Sequence, residues 1–133
     1  MKNMQQKIWT VLKIVLGAFL IFGGIQHFIK PTFYIPFVPE FLPFTMPIIY
    51  VSGFVEIVVG VLVFIKKYEK IGAWGILILM LLFLPIHIWD VFSETPAIGS
   101  QKAAVIRLPI QFLLIAISWK VKNIASHNNS KLY

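Results

Sequence analysis

Apolar and polar positions segregate along this chain into whole segments. Four apolar runs, at about 8–28, 44–65, 71–92 and 103–121, are separated by short polar breaks. Each holds about 19–22 residues by these bounds. That is the length a helix needs to cross a hydrocarbon core of ~30 Å. A lone run of this kind suits a buried helix of a soluble protein. Four in succession leave too little polar surface for a water-facing shell. The pattern predicts an all-α integral membrane protein, a four-transmembrane-helix bundle forming one domain over 1–122. The stretch 123–133, with Ser126, His127, Asn128, Asn129 and Ser130, reads as a disordered polar tail. Lys2 and Lys7 ahead of the first run would suit a signal peptide, but the apolar core is too long and no A-x-A-like site follows. A retained helix is expected.

Composition strengthens this reading. The 133 residues are 59% hydrophobic and 13% charged, against about 45–50% and about 25% in ordinary soluble domains. The net charge of +7 does not point to nucleic acid, because the lysines lie at the ends of apolar runs. Lys2, Lys7, Lys13, Lys66, Lys67, Lys70, Lys120, Lys122 and Lys131 fall on one side of the predicted bundle. Only Lys30, Lys102 and Arg107 fall on the other. The positive-inside rule then predicts both termini in the cytoplasm. The absence of cysteine excludes disulfides and thiol-based redox chemistry within the chain. Trp9, Trp74, Trp89 and Trp119 fall near run ends, as interfacial anchors do.

The outer connection, Ile29–Pro43, holds Pro31, Pro36, Pro39 and Pro43 with Phe33, Tyr34, Phe37 and Phe41. Proline at this density predicts no regular helix. Aromatics at this density predict a position in the headgroup zone, as an anchor or as a lid over a site below.

Ionisable residues inside membrane spans are expensive and tend to face the bundle interior. At ~100° per residue, Gly17, Gly24 and His27 share a face of the first helix, and Gly53, Glu56 and Gly60 a face of the second. His87 and Asp90 share a face of the third, and Arg107 and Gln111 of the fourth. The four glycines are candidate helix-packing positions. The stripes should meet inside, which makes His27, Glu56, His87, Asp90, Arg107 and Gln111 the candidate ligand-binding set. Two readings of that set stay open. One is internal glue, with Arg107 paired to Glu56 or Asp90 and nothing bound. The other is a pocket for a polar head or a proton. The polar groups lie on different helices without a ligand-spacing signature, so no metal site is assigned. Pro85 and Pro109, inside the third and fourth runs, free the carbonyls of Leu81 and Val105 and predict kinks.

Several of these residues carry a family resemblance. Gly24-Ile25-Gln26-His27-Phe28 followed by Pro31, Phe33-Tyr34, Pro39 and Leu42-Pro43 resembles the DoxX-like family of small four-helix bacterial membrane proteins. So do Ser52-Gly53-Phe54-Val55-Glu56 with Gly60, Ala73-Trp74 opening the third helix, and Pro85. The resemblance runs from about Leu16 to Trp119. Its recurring positions fall on Gly24, His27, Pro31, Pro39, Gly53, Glu56 and Gly60. Relatives in that family are linked to thiosulfate:quinone oxidoreduction, methylamine utilisation and oxidative-stress complexes. The resemblance implies a redox-associated membrane subunit, with a quinone as candidate ligand and no covalently bound cofactor. The competing expectation is a non-enzymatic scaffold or assembly factor. A third is a small transporter, which would need a homo-oligomer. The expected partners are the lipid bilayer and another membrane protein or a second copy, not nucleic acid.

Overall fold

The computed structural model describes residues 2–130, with no side-chain description at positions 2, 126 and 128–130. The described chain forms helices and connecting loops, without a strand. Helix α1 spans Lys2–Ile29. The short helix α2, Pro31–Tyr34, runs into a 3-10 turn, Ile35–Phe37. Helix α3 spans Thr45–Leu62, α4 Glu69–Phe92 and α5 Gln101–Ser130. Among the described residues, four segments are long and apolar enough to cross a membrane: Asn3–Ile29, Thr45–Leu62, Lys66–Phe92 and Gln101–Ala125.

Helix boundaries differ from expectation, α1 already starting at Lys2 rather than about 8. The segment 29–43 contains a helical turn, because Pro31 takes a first-turn position of α2, where its missing N–H breaks no hydrogen bond. Helix α3 stops at Leu62, and Val63–Ile65 tighten into a 3-10 turn over Lys66–Tyr68. The last helix continues to Ser130 where a disordered tail was expected. Its one face explains why: Val121, Lys122 and Ala125 are buried, so packing carries the helix beyond its apolar run. Positions 131–133 of that expected tail lie outside the described residues. Helices α4 and α5 run unbroken past Pro85 and Pro109.

The long helices form two close pairs, α1 with α3 and α4 with α5. Contact between α3 and α4 joins the pairs, and α1 meets α5 only sparingly. Glycine sets the first pair. A Cβ on Gly24 would lie 2.5 Å from the Gly53 carbonyl oxygen, and one on Gly60 2.9 Å from that of Gly17. The two antiparallel backbones therefore touch at two levels, seven residues apart on each helix. Small residues permit such an approach, which membrane helices use for van der Waals gain. Gly72 fits the tight α3–α4 turn in the same way: a Cβ there would lie 2.6 Å from the Val63 nitrogen.

The bundle is filled differently at its two ends. The end holding the α3–α4 turn has a continuous core of Leu16, Leu20, Val59, Val63, Ala73, Ile76, Val121 and Ala125, among others. There Lys13 pairs with Glu69 at 3.1 Å. Lys122 is 7% exposed, and its ammonium lies 3.7 Å from the Trp119 ring and 4.4 Å from that of Trp74. Those two tryptophans do more than anchor: their ring faces accept a cation withdrawn from solvent. The opposite end, beneath α2 and the 3-10 turn, holds the polar residues.

Candidate functional site

A cavity of about 480 Å³ lies at the lid end, between the two helix pairs. Its walls are mostly apolar, from Phe19 on α1, Ile48 and Ile49 on α3, Met80, Phe83 and Ile86 on α4, and Ile110 and Leu114 on α5. The size is in the roughly 300–1,000 Å³ range of pockets that hold small organic molecules. Polar groups enter from all four long helices: His27, Ser52, Glu56, His87, Arg107 and Gln111.

His27 and Glu56 form the most buried charged contact, each residue 7% exposed. Helical phasing brings them together. Gly24 lets α1 approach α3, and His27, three residues on, then lies over Gly53 one turn from Glu56. His27 Nε2 is 2.9 Å from Glu56 Oε2. The approach is close but not aligned, so Oε2 has no hydrogen-bond donor among the described residues. The other ring nitrogen, Nδ1, is 2.9 Å from the Ile49 carbonyl and 3.1 Å from Ser52 Oγ, which itself donates to that carbonyl at 2.9 Å. A carbonyl only accepts, so a proton belongs on Nδ1. Nε2 then faces Glu56 Oε2, where a single proton between the two would complete a hydrogen bond.

Arg107 occupies the facing wall. Its Nη2 lies 3.2 Å from His87 Nε2, and its Nη1 3.8 Å from Asp90 Oδ2. The guanidinium carbon is 4.9 Å from the centre of the Phe37 ring. Its side chain keeps 29% exposure, which leaves N–H donors for something in the cavity. Gln111 lines the wall but gives its amide N–H to the Met80 carbonyl at 2.7 Å. Met80 precedes Leu81, whose carbonyl Pro85 frees.

The lid is aromatic. Tyr34 stacks on His27 with ring centres 3.9 Å apart, and contacts Phe33 and Phe37. Burial raises the Tyr34 phenol above its ordinary pKa of 10.0; the nearby Glu56 charge adds to this and Arg107 opposes it. Phe33, Tyr34, Phe37 and Pro39 line the cavity. Pro31 starts α2 instead, and Phe41 points away at 84% exposure.

Asp90 does not line the cavity. Oδ1 accepts the Ala97 N–H and Oδ2 the Ile98 N–H at 3.3 Å, so this carboxylate holds the α4–α5 loop. Its part in the site is to steady Arg107 from behind. One residue given no site role from sequence belongs here: Ser52, whose readable signal is its place one turn before Glu56 on the same face. Tyr34, expected as part of an anchor or lid, also contacts His27, a contact that depends on the fold of a loop. Among the described residues, no three His, Asp or Glu side chains gather as a metal site would need.

Residues 16–122 match the family model described as a domain of unknown function, DUF8561, and the chain belongs to that family. Neither a curated protein nor a solved structure matches it.

Proposed function

We propose that this member of the DUF8561 family is a multi-pass membrane protein that binds a small amphipathic molecule in the lid-end cavity. The carrying observation is the cavity itself: largely apolar, about 480 Å³, with a buried His27–Glu56 pair on one wall and Arg107 on the other. Pure structural glue would have no reason to leave this space. In this reading Glu56 receives a proton, His27 relays it, and Arg107 offers donors to a ligand oxygen. A quinone-like head suits those partners. The DoxX-like resemblance adds the context of a redox-associated subunit. By the lysine bias, both termini face the cytoplasm and the cavity lies in the outer half of a bacterial inner membrane.

A scaffold is the second reading. It is favoured by the pairing of Arg107 with Asp90 and by Phe41, which stands 84% exposed as a contact for a partner. One experiment separates them: titration of a short-chain ubiquinone analogue into the purified protein and its Glu56→Gln and Arg107→Ala variants. Saturable binding that weakens at least about tenfold in folded variants supports the pocket. Equal binding in all three, or none in the parent, sinks it. A co-purifying membrane protein lost on Phe41→Ala would support the scaffold.

A further inference from the structure

The cavity is not equally closed on all sides. Tyr34 and Phe37 cover it at the lid, each part-buried and in ring contact with the other. Below the lid, Phe19 on α1 and Ile110 on α5 both line the cavity and face outward, 52% and 48% exposed. They stand on the two long helices that meet only sparingly. The polar groups also lie unevenly. His27 and Arg107 are nearer the lid, whereas Phe19 and Leu114 lie two turns deeper on the same two helices. A molecule in this cavity would therefore place its head near the lid and its apolar part toward the α1–α5 seam.

The head groups on offer define the head. Glu56 Oε2 is buried without an aligned donor, and Arg107 is rich in donors. A compact head with both a hydroxyl and an acceptor oxygen, or one hydroxyl serving as both, satisfies the two walls. A two-chain phospholipid is too large for the volume.

We infer that the α1–α5 seam, rimmed by Phe19 and Ile110, is a side door through which a single-tailed amphiphile with a hydroxyl-bearing head enters directly from the bilayer. This rests on the pocket reading above and adds the ligand class and its route. Entry from lipid suits such a molecule, because its tail need never cross water.

The test is uptake of tritiated 4-nonylphenol by the protein in lipid nanodiscs, read by rapid filtration against empty nanodiscs. Ile110→Trp narrows the seam and is expected to slow uptake about tenfold. Phe19→Trp, on the opposite rim, carries the same expectation should the first variant fold poorly. Phe37→Ala, which thins the lid, should slow uptake far less than either seam variant. Unchanged uptake in both seam variants, or faster uptake in Phe37→Ala alone, overturns the side door while leaving the pocket intact. No uptake above empty nanodiscs by the parent protein removes the pocket reading, and the door with it.

Discussion

The two ends of this bundle are built from the same four helices and filled in opposite ways. At the end holding the α3–α4 turn, Leu20, Val63, Ala73 and Ile76 are at most 1% exposed and pack into one core. At the lid end, the same helices part around about 480 Å³ of space, with a buried acid and base and a half-buried guanidinium on its walls. The difference lies in which side chains each stripe supplies. Aliphatic and small residues interdigitate; His27 and Glu56 pair with each other on one wall, and Arg107 is held on the other by His87 and Asp90. The solid end can serve as a rigid clamp that keeps the two helix pairs registered while the lid end remains open.

The largest expected contrast lies in core truncation. Leu20→Ala should cost about 2–5 kcal/mol, as buried leucines do when a cavity is left. Phe83→Ala, on the cavity wall, should cost less than half as much, since its space adjoins space already present. Unfolding in mixed micelles at increasing sodium dodecyl sulfate measures both. Equal losses would mean that the lid end is packed as tightly as the other.

Next come two adjacent glycines. On Gly24 a Cβ meets the Gly53 oxygen at 2.5 Å and Ile57 Cγ1 at 2.6 Å; on Gly23 its nearest neighbour is Glu56 Oε1 at 3.5 Å. Gly24→Ala should therefore lose about 1–3 kcal/mol as α1 and α3 are forced apart. Gly23→Ala should be close to neutral in the same assay. A neutral Gly24→Ala would refute the backbone contact.

A smaller effect on stability is expected at the His27–Glu56 pair. Glu56→Gln keeps the shape and removes the charge, and His27 can then stay neutral. Its stability should change by no more than about 1 kcal/mol, while ligand affinity falls. A loss as large as that of Leu20→Ala would make the pair structural.

The smallest signal belongs to Tyr34. Its phenol is raised above 10.0, by burial first. The folded state thus resists the phenolate, and this tyrosine contributes stability below pH 10 that declines as pH rises through its folded pKa. Absorbance titration should show a late-ionising tyrosine that disappears in Tyr34→Phe. An unchanged titration would place Tyr34 in open solvent.

Sequence periodicity made the helices and their inward faces legible. His27, Glu56 and Arg107 were found because an ionisable group in an apolar run has few directions open to it. Gly17, Gly24, Gly53 and Gly60 could be picked out for the same reason, and the structure pairs them as Gly17 with Gly60 and Gly24 with Gly53. What could not be read depends on backbone geometry. Asp90 satisfies the N–H groups of Ala97 and Ile98, and no residue type advertises a loop amide. Tyr34 reaches His27 only because Pro31 starts a turn of helix in a segment whose prolines suggested none. Lys122 was counted among flanking cations, yet Trp74 and Trp119 take it in and draw α5 past its apolar run.

The most direct test of the central claim is a crystal structure grown in a lipid mesophase with a 4-alkylphenol brominated at the tail end. The open lid end predicts an anomalous bromine peak among Phe19, Met80 and Leu114, with the phenol oxygen between Glu56 and Arg107. Bromine found only on lipid-facing surfaces, with Phe19, Phe83 and Leu114 closed over a filled interior, would contradict it.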